Sequence, residues 1–196
     1  LNAIRTAVDI DSFGRGVLVC YNERIFSARY ATKASTWNLD TFKASMGGPI
    51  GFVDDLRAHY FVGSEPRLKS PVSVDISKLK DLPKVDIISM YAGASAEAIT
   101  NSVKSGAKGI VIAGVGDGNM PDECLVACRQ ASQKGIIVVR STRISENYVH
   151  RDHEFKDSDY GTYASYDLTP QKARIMTQLL IAAGIKDTDK IQAAFI

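Results

Sequence analysis

The amino-acid sequence predicts an α/β protein: a C-terminal domain built on a parallel sheet covered by helices on both faces, preceded by the remnant of a larger α/β N-terminal domain. Three observations lead to that class. From Val85 onward, short apolar runs alternate with amphipathic helical stretches, the rhythm of strand–helix–strand units. The runs GIVIAG (109–114) and GIIVVRS (135–141) are apolar without alternation, as strands buried on both faces require. The opening residues LNAIRTAV place Leu1, Ile4 and Val8 at helical spacing with no N-cap residue and no strand before them. An α/β pattern entered part-way leads to the expectation that something preceded this helix.

Taken in order, the helix of residues 1–8 is followed by a turn, DSFGRG, and by a short strand, GVLVCY (16–21). Residues 25–46 are polar and aperiodic, and read as a loop with a weak helix over 39–45. A second short strand is expected over 49–53. Pro66, Pro71 and Pro83, with Lys and Asp between them, mark 63–83 as a linker containing a small helix at 77–80, because proline removes backbone donors and restricts the residue before it. The expected domains are therefore 1–62 and 84–196. In the second, 85–91 is a strand, and 95–106 is a helix with Ser95 as its N-cap and Gly106 as its stop. After the strand 109–114 comes a helix with Pro121 at its first position and Gly135 past its end, then the strand 135–141. Thr169 followed by Pro170 opens a long last helix.

Composition closes several doors. The 196 residues are 45% hydrophobic and 23% charged, enough apolar material for a core and too balanced for a disordered chain. A formal net charge of +2 offers no basic field for a nucleic-acid backbone. No apolar run approaches the ~20 residues that span a bilayer. No charged n-region followed by an apolar h-region opens the chain, so any signal peptide is expected to have been removed. Cys20, Cys124 and Cys128 form no CxxC pair and read as small buried hydrophobes.

In parallel sheets, ligands bind beyond the carboxyl ends of the strands, which directs attention to 91–95, 114–119 and 140–143. GVGDGN has glycines spaced GxGxG, without the GxGxxG or GK[ST] of phosphate loops, and reads as a tight strand-to-helix turn. Such a turn can also aim Asn119, whose amide both donates and accepts, into a polar site at a boundary. The segment HRDHEFKDSDY (150–160) carries an HxxH pair but no HExxH, and is expected to be a solvated loop in preference to a metal site. Within it, Glu154 is a carboxylate suited to meet an ammonium group. Lys33, in ATKAST, needs burial and a charged partner to act chemically, and no partner is local.

These residues accumulate into a resemblance. SGAKGIVIAGVGDGN, GIIVVRSTRIS, DHEFKDSDYG, LTPQKAR and KLKDLPKVDIISMYAGAS resemble the C-terminal half of bacterial-type L-asparaginases, closest to the secreted type II asparaginase–glutaminase branch. ARYATKASTWNLDTFKASMGGPIGFV resembles the closing part of that family's N-terminal domain. The resemblance covers essentially the whole chain in order. It implies a two-domain amidohydrolase in which a threonine attacks the side-chain amide of asparagine and a second threonine, an aspartate and a lysine complete the catalytic cluster. By the same resemblance Lys33 is that lysine, while Asn119 and Glu154 reach into a neighbouring subunit's site, Glu154 meeting the substrate α-ammonium. A homo-oligomer, most simply a homotetramer, a periplasmic or secreted location and no cofactor or metal are further implications. The family's TGGTIA and HGTDT segments, which carry both threonines and the aspartate, do not occur in these 196 residues. A non-catalytic ligand-binding or assembly module of the same fold is the alternative. The related amidotransferase subunit acting on tRNA-bound glutamate is disfavoured by the lack of a basic cluster. The 196-residue chain alone is expected to be inactive. Purified, it should release no ammonia from asparagine above a heat-killed control.

Overall fold

A computed structural model describes residues 1–44, 46–63 and 72–196. The chain divides into two compact units, Leu1–Lys69 and Ser70–Ile196.

The first unit opens with helix α1 (Asn2–Val8) and a 3-10 turn at Ile10–Ser12. Its main sheet is antiparallel, with strands in the order β1 (Leu18–Tyr21), β2 (Arg24–Ser27), β5 (Gly51–Val53) and β6 (Ala58–Tyr60). Between β2 and β5 the chain forms a separate two-stranded ribbon, β3 (Ala31–Lys33) with β4 (Phe42–Ala44), registered so that Lys33 faces Phe42. The sheet buries Ile25, Val53 and Ala58 on one face, with Leu18, Cys20, Ile50 and Tyr60 packed against them. Cys20 is thus half-buried, where full burial was expected.

The loop expected over 25–46 contains three short stretches of strand, at 25–27, 31–33 and 42–44, and the helix expected from 39 does not form. Phe42–Ala44 pairs with β3, and Asp40 is held by its own local contacts: its amide donates to Asn38 Oδ1 (2.9 Å), and its carboxylate accepts from Arg24 and Lys43. Strands of three or four residues are too short to display a period, and their hydrogen bonds come from partners distant in sequence. The helix was expected to end at Ser45, which lies outside the described residues. So do residues 64–71 of the expected linker. The described part, 72–83, has a 3-10 turn at Ile76–Lys78 capped by Asp75, and Val72 packs against a core of the second unit.

The second unit is a four-stranded parallel sheet in the order β10-β9-β8-β7, built from β7 (Val85–Ser89), β8 (Gly109–Gly114), β9 (Ile137–Thr142) and β10 (Thr162–Ala164). Successive side chains on a strand point to opposite faces, and both faces here are apolar. Ile88, Ile110, Ile112 and Val138 pack with Ile99 of helix α2 (Glu97–Lys104) and with Cys124 and Cys128 of α3 (Asp122–Gln133). Val85, Val111 and Val139 pack on the other face with Leu180 of α5 (Pro170–Ala182) and Ile191 of α6 (Thr188–Ala193). Burial pushes the Cys128 thiol up to about 12, so it behaves as a hydrophobe. The edge of β10 is closed by a side chain: the Gln192 amide donates to Ala164 O (2.9 Å) and accepts from Ala164 N (3.0 Å). Two helix starts differ from expectation. Pro121 is the N-cap of α3, not its first residue, and α2 is preceded by Ala96 with Ser95 only a distant acceptor for Glu97 N (3.4 Å). Among the described residues no helix is long and apolar enough to cross a membrane.

The β1–β2 connection generates a stability prediction. Tyr21 pairs with Arg24, and the two residues between them, Asn22 and Glu23, have φ of 47° and 61°, the signature of a type I′ turn. Asparagine tolerates that region; glutamate does not. Glu23→Gly should raise stability by roughly 0.5–1 kcal/mol, and Glu23→Val should lower it, measured as opposite shifts in the urea midpoint.

Candidate functional site

Strands β8 and β9 end side by side, with Gly114 opposite Thr142. Beyond them lie the turn 115–119 and the loop from 143 to 156. The turn closes on itself, since Val115 N donates to Asn119 O (3.0 Å) and Asn119 N to Val115 O (2.8 Å). The amides of Val115 and Asn119 are therefore engaged within the turn. Two glycines make the closure sterically possible. A Cβ at Gly114 would lie 2.5 Å from the Gly118 carbonyl carbon, and Gly118, at φ +77°, lies against Val149 and Arg140.

Beneath the turn sits a charge pair that sequence reading did not single out. Arg140, in the middle of β9, is 1% exposed, as is Asp157 at the start of the short helix α4 (Asp157–Tyr160). The guanidinium donates to both carboxylate oxygens, Nε to Oδ1 at 2.7 Å and Nη2 to Oδ2 at 2.8 Å. Its remaining donors reach the carbonyl of Asp117 (3.0 Å) and that of His150 (2.9 Å). Asp157 also accepts from Thr162 Oγ1 (2.5 Å) and from the Asp152 amide (3.0 Å), and the Phe155 ring lies 4.6 Å from the guanidinium carbon. The segment expected to be a solvated loop, 150–160, is thus anchored from below and ends in helix. A signal was available: an arginine inside GIIVVRS, a run otherwise fit for complete burial, requires a buried acid elsewhere.

Above the pair, Asp117 gathers the loop. Its carboxylate accepts from the His150 amide (2.7 Å), from His150 Nδ1 (3.2 Å) and from His153 Nδ1 (2.8 Å). Burial opposes its ionisation, but these hydrogen bonds outweigh burial and hold the carboxyl below the usual carboxylate range. The edge of Tyr148 meets the His150 ring at 4.8 Å. Gly116, Asp117, Thr142, Asn147 and His150 line a cleft of about 380 Å³ here. A larger cavity, about 420 Å³, opens at the amino ends of the strands near Lys108, Ile136 and Ile185. Ser132, Tyr163 and Lys186 line it with Lys108, so the carboxyl-end cleft is favoured by its position beyond the ends of parallel strands.

Of the three residues singled out from the sequence, Asn119 and Glu154 lie on two segments that Asp117 joins through His150 and His153. Asn119 ends the turn, and its Oδ1 is buried without a hydrogen-bond partner. Glu154 is exposed and adjoins His153, which Asp117 ties to the same turn. Lys33 belongs to the first unit, where it is the exposed last residue of β3 and not part of a loop. Beside it the chain turns back through Ser35, whose Oγ accepts from Asn38 N (3.1 Å) and whose carbonyl accepts from Thr41 Oγ1.

Fold and cleft together define the class: an α/β protein that presents a polar site beyond the carboxyl ends of parallel strands, shaped by a buried arginine. The chain belongs to the glutaminase/asparaginase family. Residues 84–195 match the glutaminase/asparaginase C-terminal domain and residues 1–66 the N-terminal asparaginase domain. Among curated proteins it is 39% identical over 194 residues to a probable periplasmic L-asparaginase of Haemophilus influenzae, covering 99% of this chain and 55% of that protein. It is likewise 39% identical over 194 residues to L-asparaginase 2 of Escherichia coli, covering 99% and 56%. A glutaminase-asparaginase of Pseudomonas fluorescens is 31% identical over 195 residues, covering 99% and 53%. The chain spans about half the length of the curated relatives it matches.

Removing one partner of a buried, fully hydrogen-bonded ion pair leaves the other charge stranded. Asp157→Ala should therefore lower the unfolding free energy by about 3–5 kcal/mol. The exposed Glu154→Gln should stay within about 0.5 kcal/mol of the parent. Urea unfolding followed by circular dichroism compares the two.

Proposed function

We propose that the protein to which this chain belongs hydrolyses the side-chain amide of L-asparagine to aspartate and ammonia, with glutamine as a second substrate. Membership of the family and the names carried by the relatives support the reaction class. The feature of this chain that supports the reading is Asn119 at the end of the turn after β8, its Oδ1 buried and without a hydrogen-bond partner. A buried acceptor left unmatched is disfavoured by about 1–3 kcal/mol, so this amide is held for a purpose other than the stability of the unit.

In this reading a threonine hydroxyl, from the family's N-terminal segments, adds to the amide carbon. The amide nitrogen leaves as ammonia after taking a proton. Water then hydrolyses the resulting ester, regenerating the hydroxyl and releasing aspartate. Water is the sole co-reactant, and no cofactor enters. Lys33 assists proton transfer at the nucleophile's cluster. Glu154 accepts from the substrate α-ammonium, a charge-assisted bond in a sheltered cleft. Asn119 supplies an amide at the boundary of the site. Residues 1–62 are the closing part of the catalytic N-terminal domain, 63–83 the linker and 84–196 the C-terminal domain. Asn119 and Glu154 serve a neighbouring subunit's site in a homo-oligomer, and the protein works in the periplasm or outside the cell.

Steady-state kinetics of the full-length protein test the assignment of roles. Glu154→Gln keeps shape but removes the charge. A charge-assisted hydrogen bond is worth ~1.5–3 kcal/mol, so kcat/KM for asparagine should fall about ten- to a hundredfold. An asparagine analogue lacking the α-amino group should lose much less. Lys33→Met should instead depress kcat by about 10²–10⁴-fold. Near-parental kcat/KM in both variants, at equal fold content, would return the two residues to solvated surface charges.

A further inference from the structure

The Asp117–His150–His153 cluster is not needed for the amide chemistry above, and its geometry is that of a ligand set. We propose that these three side chains bind a divalent transition-metal ion of the zinc type, which clamps the 115–119 turn to the 149–154 loop. The donors come from two elements distant in sequence, and their ligating atoms all lie within 4.8 Å of one another. One carboxylate oxygen, Asp117 Oδ2, stands 3.2 Å from His150 Nδ1 and 2.8 Å from His153 Nδ1. Donors on a tetrahedral zinc at about 2.0–2.1 Å are roughly 3.3 Å apart, so the His150 pair already has that separation and the His153 pair opens by about 0.5 Å to admit the ion. Binding requires no net proton loss from a neutral imidazole. Each ring carries its proton on Nε2 in place of Nδ1, and the Nδ1 lone pair turns to the metal.

The support expected around a metal site is present. Asp117 Oδ1 accepts from the His150 amide at 2.7 Å, and the Asp117 carbonyl accepts from the buried Arg140 at 3.0 Å, so the carboxylate is held from two sides. Tyr148 braces the His150 ring, and the rings of His150 and His153 are 5.3 Å apart. The carboxylate side chain is 14% exposed while the two imidazoles are 57% and 63% exposed, which leaves an entry path and an open coordination position facing solvent. Two nitrogens and one oxygen select zinc, cobalt, nickel or copper over magnesium and calcium, which take oxygen ligands. Sequence spacing set the HxxH pair aside because it is not an HExxH motif. The third ligand lies 33 residues upstream of His150. The proposal is independent of the amidohydrolase reading, and either can fail without the other.

The test uses the full-length protein freed of metal by chelator. Titration with zinc chloride in a calorimeter should show one equivalent bound per chain. Cobalt chloride should give the visible d–d bands of a low-coordinate nitrogen and oxygen site, with no thiolate charge-transfer band. His150→Asn and His153→Asn should each weaken zinc binding by more than about tenfold, and the double variant should abolish the equivalent. Both side chains are exposed, so circular dichroism should show these variants folded. Absence of stoichiometric binding, unchanged binding by the double variant, or a thiolate band in the cobalt spectrum would each overturn the site.

Discussion

The buried pairing of Arg140 with Asp157 is the constraint on which the carboxyl end of the parallel sheet depends. Two charges leave water together, which is tolerable only when nearly all of their hydrogen-bonding capacity is met. The structure meets it with backbone as well as side chain. Arg140 bonds the carbonyls of Asp117 and His150, and Asp157 bonds the Asp152 amide and the Thr162 hydroxyl. The guanidinium thus joins the turn after β8 to the loop after β9, using a fixed fork that lysine does not possess. The charge pair acts beside the buried Val149, whose amide bonds the Tyr166 carbonyl, in holding the loop after β9.

What lies above the pair follows from it. With the Asp117 backbone fixed, its carboxylate points where the His150 amide and two imidazoles can reach it. The same anchoring holds the turn that ends in Asn119 and the segment that carries Glu154. Glycine makes the close approach possible: at Gly114 a side chain would collide with Gly118 backbone, and Gly118 faces the guanidinium itself. Polar groups therefore converge on a framework whose core is almost wholly aliphatic, a rigid support under a chemically versatile surface.

The first unit is organised differently. Its antiparallel strands are short, its core is small, and Lys33 stands at the end of a two-stranded ribbon beside a turn that Ser35 stitches together. Local hydrogen bonds from Asn, Asp and Ser side chains shape much of that segment, which is why it reads in the sequence as loop.

The sequence by itself determined the second unit's framework: strands β7, β8 and β9, the helices between them and the burial of both sheet faces. Uninterrupted apolar runs and the glycines and prolines at their ends carry that information locally. It also singled out Asn119 and Glu154, through their place after strand ends and a family resemblance. Strands β2, β3, β4, β6 and β10 were not legible, because three or four residues show no period and their stability comes from distant partners. The hairpin at Asn22-Glu23 lacked its usual glycine. The pairing of Arg140 with Asp157, and the meeting of Asp117 with His150 and His153, were decided by tertiary structure alone. Each joins residues 17 to 36 positions apart across two strand ends, and only the parallel register of β8 and β9 brings those ends together.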